Sequence, residues 1–284
     1  MRKNKEKNEI KEMTRSEFIA SMSTAFTFVI GGSIFGRFLT DAEAQEINKG
    51  KTAEKNAPAK KEDKSSKPKG AEGDYNPFDH AWVYLIDTNK CIGCGMCVRA
   101  CKIENKVPAG FSRTWVERYH ILEGRDSVID SPEGGLNGFQ PESYSKVSKT
   151  FFVPKKCNHC KKSPCSQVCP VGASYYSPDL VQLIDQKRCI GCGYCIQACP
   201  YSSRFMHPDK HVAEKCFWCY HRITKGYLPA CVQACPTGTR QFGDMTKPDD
   251  PIRKIIASER VQVLRPEMLT IPQVKYLGLD MEVR

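Results

Sequence analysis

Residues 91–101 read Cys-Ile-Gly-Cys-Gly-Met-Cys-Val-Arg-Ala-Cys, and residues 189–199 read Cys-Ile-Gly-Cys-Gly-Tyr-Cys-Ile-Gln-Ala-Cys. Both follow the spacing C-x2-C-x2-C-x3-C. Two variant runs, Cys157-Cys160-Cys165-Cys169 and Cys216-Cys219-Cys231-Cys235, complete the 16 cysteines of the chain with none left over. Four converging thiolates hold one iron–sulfur cubane, and in the first spacing the fourth Cys ligates a second cluster. The count therefore predicts four [4Fe–4S] clusters. Dense disulfide frameworks belong to small secreted domains. Structural zinc uses paired C-x2-C but not the trailing x3-Cys. Haem attachment needs C-x-x-C-H, and no C-x-x-C here precedes a His.

At 284 residues with net charge +11, the sequence invites a nucleic-acid reading. Residues 1–75 hold 15 Lys/Arg and 12 Asp/Glu, which leaves +8 for residues 76–284. Four oxidised thiolate-bound cubanes contribute about −8. The excess cations are thus better read as cluster counter-charge than as a phosphate-binding face.

An internal repeat organises the cysteine region. Leu85-Ile86-Asp87 precedes Cys91 and Leu183-Ile184-Asp185 precedes Cys189, and 11 of the 17 positions in 85–101 and 183–199 are identical. Short apolar stretches ahead of each run, Trp82 to Ile86 and Leu180 to Ile184, read as strands. The other two runs resemble each other through Pro164-Cys165, Cys169-Pro170-x-Gly172 and Cys231, Cys235-Pro236-x-Gly238. The fold class is therefore α+β: two bacterial-ferredoxin-like dicluster units related by duplication, rich in loops. Gly93, Gly95, Gly191 and Gly193 permit positive φ and close approach to a cluster. Pro170, Pro200 and Pro236 each follow the last Cys of a run and end its helix. Cys101 is followed by Lys102, either a cation near a cluster or a solvated surface residue. Spacing alone leaves two pairings of runs equally legal: first with fourth and second with third, or first with second and third with fourth.

The stretches PKKCNHCKKSPCSQVCPVGA, CIGCGYCIQACPY and EKCFWCYHRITKGYLPACVQACPTG resemble the four-cluster electron-transfer subunit of the DMSO-reductase-type molybdoenzymes and related membrane-bound hydrogenase complexes. The likeness covers about residues 80–245. The resemblance implies the nested pairing, with clusters at Cys91/Cys94/Cys97/Cys235, Cys101/Cys216/Cys219/Cys231, Cys157/Cys160/Cys165/Cys199 and Cys169/Cys189/Cys192/Cys195. It also implies a non-catalytic wire between a catalytic subunit, a molybdopterin enzyme or hydrogenase, and a membrane quinone-linked subunit or cytochrome.

The N-terminal region reads as a targeting segment. Residues 1–17 are charged, residues 18–36 carry no charge, and Ala42-Glu43-Ala44 supplies an A-x-A end. Thr14-Arg15-Ser16-Glu17-Phe18-Ile19 is similar to the twin-arginine export motif, with Ser16 in place of the second Arg. Residues 1–44 are expected to be a signal cleaved near Ala44 or, failing that, a membrane anchor. Either outcome puts the clusters in the periplasm or on the outer face of the cytoplasmic membrane. Residues 45–75, rich in Lys, Glu, Ala and Ser, read as a flexible linker. The four-cluster region spans 76–245, and 246–284 reads as a C-terminal extension without a membrane anchor.

Among other residues, Tyr194, Phe217 and Trp218 are candidates for shielding clusters or for ordinary packing. The six histidines, at 80, 120, 159, 207, 211 and 221, show no metal spacing and are expected to hydrogen-bond. Residues 102–156 form a long insert with an extended WVERYHIL segment and a Gly-, Pro- and Ser-rich loop, expected to meet the catalytic partner. No nucleophile–base pair or phosphate loop stands out, so the sequence points to an electron conduit. A free-standing polyferredoxin, a hydrogenase-associated version and a zinc-binding interaction module are the alternatives.

Overall fold

The computed structural model describes residues 75–124, 127–141 and 144–283. The expected signal or anchor at 1–44 and nearly all of the linker lie outside the described residues. Among the described residues, no helix is long and apolar enough to cross a membrane.

The apolar stretch ahead of the first run forms β1 (Trp82–Asp87), buried along nearly its whole length. Within the first run, Gly95, in the left-handed region at φ 72°, leads into α1 (Met96–Asn105). The insert then supplies β2 (Thr114–Leu122), β3 (Ser127–Asp130) and β4 (Val147–Lys156). The second run turns through α2 (Pro164–Gln167) into β5 (Ser174–Tyr176). The third lies between β6 (Gln182–Ile184) and β7 (Arg204–Met206) and carries α3 (Tyr194–Gln197). The fourth lies between β8 (Ala213–Lys215) and β9 (Arg240–Asp244) and carries α4 (Tyr220–Ile223) and α5 (Ala230–Gln233).

The strand pairing follows one rule. The strand leaving each run pairs antiparallel with the strand entering the next: β2 with β4, β5 with β6, and β7 with β8. The series closes on itself, because β9, leaving the fourth run, pairs antiparallel with β1, which enters the first. Residues 91 and 235 are brought to one place by this closure. The expected strand at 180–184 is shortened to β6 because Leu180 takes a positive φ of 63° in the turn after β5.

The prolines act as expected. Helices α2, α3 and α5 each span 4 residues and stop before Pro170, Pro200 and Pro236, whereas α1, lacking a proline after Cys101, runs for 10. Lys102 is half-buried and takes part in the local structure. Its Nζ donates to the carbonyls of Pro108 (3.2 Å) and Phe111 (2.8 Å), tying down the loop after α1.

The extended WVERYHIL segment of the insert forms β2, the central strand of an antiparallel sheet in the order β3–β2–β4. Val116 on one face of this sheet and Tyr119 and Val153 on the other all pack into the main core. Residues 246–284, set apart in sequence as an extension, complete the central sheet. Helix α6 (Pro251–Ser258) is capped by the Asp250 carboxylate accepting the Ile252 amide at 2.8 Å, and Ile252 packs on Val83 and Leu85. Strand β10 (Val274–Leu277) then pairs parallel with β1, giving the order β10–β1–β9.

Candidate iron–sulfur centres

The strand closure puts Cys91, Cys94, Cys97 and Cys235 around one pocket, walled by Val116, Pro154, Thr239 and Arg240. Burial pushes the Cys91 thiol up to about 11, and the nearby Cys97 and Cys235 sulfurs push the same way. Cys101 is also raised, by burial and by Cys216, Cys231 and Cys219 around it. Cys160 is pushed up to about 12 by burial and by Cys157, Cys165 and Cys199. In the fourth group Cys195 adjoins Cys189, with Cys165 nearby. Cys192 is exposed, and Cys169 is surrounded by its own loop. The structure thus brings Cys235 to the first run and Cys199 to the second.

The exit loops supply donors to the crossing sulfurs. Burial alone would raise Cys169 and Cys235, yet both are held low. The amides of Ser174, Val171, Ala173 and Gly172 face Cys169, and those of Arg240, Thr237 and Thr239 face Cys235, with the Thr237 hydroxyl beside it. Amides directed at cluster sulfurs favour the more negative, reduced cluster.

The first run departs from this arrangement. Because α1 continues past Cys101, no exit loop follows, and Asn105, one turn on, replaces it. Its Nδ2 lies 3.5 Å from Cys101 Sγ and 3.6 Å from Cys219 Sγ, within reach of weak donation to both. Arg113 fixes the carboxamide by donating from Nη1 to Asn105 Oδ1 at 3.1 Å and is itself paired with Glu214 at 2.7 Å. The sequence reading missed Asn105. Its signal was the absent proline, since a continued helix puts positions four apart on one face.

Cations line the buried thiols, as the charge balance predicted. Lys156, Lys215, Arg204 and Arg240 are all buried. Nζ of Lys156, Nε and Nη1 of Arg204, and Nη1 and Nη2 of Arg240 have no hydrogen-bond partner in the protein. Orphaned buried cations of this kind are costly unless an anion meets them, and an oxidised cubane with its four thiolates, a dianion as a whole, fits that requirement.

Trp218 is fully buried and packs into the main core, while Tyr194 is 58% exposed. Phe217 lies under the Arg113 guanidinium at 4.5 Å. The side chains of His80, His120, His159, His207 and His221 hydrogen-bond as expected. His159, between Cys157 and Cys160, stacks on Trp218 at 4.1 Å and accepts the Gln182 amide at Nδ1. His80 meets Asp244 at 2.7 Å and His221 meets Glu104 at 2.7 Å.

Two family models, each described as a 4Fe-4S dicluster domain, match residues 90–173 and 148–245. The iron–sulfur subunit of tetrathionate reductase from Salmonella typhimurium is 40% identical over 203 residues, covering 71% of this chain and 74% of that protein. Its counterpart in Archaeoglobus fulgidus is 42% identical over 198 residues, covering 70% and 82%. The protein belongs to the iron–sulfur electron-transfer subunits of the molybdoenzyme reductases. The corresponding subunit of polysulfide reductase from Wolinella succinogenes, 38% identical over 186 residues and covering 64% of this chain and 85% of that protein, is a further relative. The protein carries four [4Fe–4S] clusters and transfers electrons without being the catalytic subunit. When bound, the clusters supply one-electron chemistry; the protein supplies the thiolates, amides and buried cations described above.

Proposed function

We propose that this subunit relays electrons between a catalytic molybdopterin subunit and a membrane quinone-linked subunit or cytochrome, using the nested ligand sets. These are Cys91/Cys94/Cys97/Cys235, Cys101/Cys216/Cys219/Cys231, Cys157/Cys160/Cys165/Cys199 and Cys169/Cys189/Cys192/Cys195. The observation that carries the reading is the lining of one pocket by three cysteines of the first run and the last cysteine of the fourth. The catalytic partner follows from the relatives, which are named as subunits of tetrathionate and polysulfide reductases. The two dicluster units arose by duplication. Support comes from the 85–101 and 183–199 identity and from the matching strand–run–strand order around each run. Residues 1–44 act as an export signal or anchor, placing the protein in the periplasm or at the outer face of the cytoplasmic membrane, on the strength of the charged start, apolar middle and Ala42-Glu43-Ala44.

Purification from membranes followed by mass spectrometry tests the assembly. Recovery with a large molybdopterin-bearing subunit and an integral membrane protein is expected. A four-cluster protein recovered alone would overturn the relay in favour of a free carrier.

A further inference from the structure

The buried cations occur at matched positions. Arg204 and Arg240 each lie five residues after the last cysteine of the third and fourth runs and open the exit strands β7 and β9. Lys156 and Lys215 each directly precede the first cysteine of the second and fourth runs and close the entry strands β4 and β8. All four are buried.

Arg240, Arg204 and Lys215 each face thiols of two different cluster sites, while Lys156 lies near Cys231 and directly precedes Cys157 of the next site in the chain. Arg240 borders the Cys91/Cys94/Cys97/Cys235 pocket and is attracted both to Cys97 there and to Cys231 of the next site. Arg204 donates to Ser174 Oγ at 2.7 Å and is attracted to Cys165 and Cys157 of one site and Cys195 of another. Lys215 donates to the Cys216 carbonyl at 2.9 Å and is attracted to Cys157 and Cys165 as well as Cys216. Lys156 Nζ sits 3.4 Å above the ring of Tyr84, whose hydroxyl meets Cys231 Sγ at 3.2 Å, while its own sequence neighbour is Cys157.

We propose that these cations stand at the junctions between successive cluster sites: Arg240 within the first unit, Lys156 and Lys215 between units, and Arg204 within the second. Each raises the reduction potential of both its neighbours. The proposal rests on the nested ligation given above. Reduction adds one negative charge to a cluster, and a low-dielectric interior opposes that charge. Sites around Cys231, Cys216 and Cys157 are the most buried, so without compensation they would become the hardest to reduce and would interrupt the path. A cation shared by two sites offsets the penalty at both. The exposed Cys192, at the far end of the series, has water for the same purpose.

The test is an EPR-monitored redox titration of the full-length, cluster-loaded protein carrying Arg240→Gln or Arg204→Gln. Each variant is expected to disfavour reduction of two clusters at least tenfold, about 59 mV for a one-electron couple. The two variants should affect different pairs, and Arg240→Lys and Arg204→Lys should restore most of the shift. Lys156→Met provides an independent arm, expected to lower the two clusters at the unit junction. Four intact clusters with unshifted potentials, or with only one shifted per variant, would overturn the shared-cation assignment. The ligation is read separately, from iron and sulfide content and cluster signals in Cys235→Ser: loss of a cluster other than that of the first run would refute the nested sets themselves.

Discussion

Tyr84 Oη lies 3.2 Å from Cys231 Sγ, joining the central strand of the main sheet to a cysteine 147 positions downstream. Cys231 is fully buried, which by itself would raise its thiol, yet Lys156, Arg240 and the Tyr84 hydroxyl hold it low. With sulfur as thiolate, the hydroxyl is the donor. Tyr84→Phe removes that donor without altering the packing of the ring. The expected loss is about 1 kcal/mol of stability, with all four clusters retained and one of them harder to reduce. Thermal unfolding and an EPR titration of the variant provide the check. An unchanged set of potentials would mean that the hydroxyl only packs.

A cysteine far along the sequence should control the first cluster. Cys235 shares its pocket with Cys91, Cys94 and Cys97 because β9 closes on β1. Cys235→Ser is expected to damage or convert that cluster while the Cys157/Cys160/Cys165/Cys199 set persists. Iron content near three-quarters of wild type or above, with one altered EPR signal, is the expected result. Loss of the cluster held by Cys189, Cys192 and Cys195 instead would favour the alternative pairing of runs.

Equivalent glycines of the two repeats should respond unequally. Gly95 and Gly193 both adopt positive φ, 72° and 77°. A Cβ on Gly95 would stand 2.2 Å from the Gly135 carbonyl oxygen, a backbone atom of the insert, whereas one on Gly193 meets nothing within 4 Å. Gly193→Ala therefore bears only the left-handed backbone penalty, about 1–2 kcal/mol. Gly95→Ala adds a clash that forces the insert away from the first run, and should lower the melting temperature of the loaded protein further. Equal losses would show that the insert yields freely at this point.

The cysteine runs, the strands before them and the helix stops at Pro170, Pro200 and Pro236 were legible because each is local: a spacing, an apolar run, a fixed φ. What escaped reading was non-local. The parallel pairing of β10 with β1 joins segments about 190 residues apart, and nothing in the local pattern of Val274–Leu277 announces its partner. Lys156 and Lys215 could not be told apart from the other excess cations in the sequence, because lysine is rarely buried alone. Only the strand geometry shows that each is carried inward beside a cysteine. Asn105 was hidden similarly, since its role depends on how far α1 extends.

Acid should weaken the anchorage of the N-terminal part of the described residues to β9. Asp244 accepts from His80 Nδ1 at 2.7 Å, the Ala81 amide at 2.9 Å and the Thr246 hydroxyl at 2.8 Å. Burial alone would raise its carboxyl, but these donors hold it below the usual carboxylate value, about 3.9. A depressed folded-state pKa contributes stability that is fully present above the unfolded value and is lost as pH falls through the folded one. Asp244→Asn is therefore expected to melt below wild type at pH 7, with the gap narrowing as pH falls below about 4. Parallel melting curves of the loaded proteins, stepped from neutral to acid pH, measure that gap. A gap that stayed constant with pH would show that the carboxylate charge contributes nothing beyond its shape.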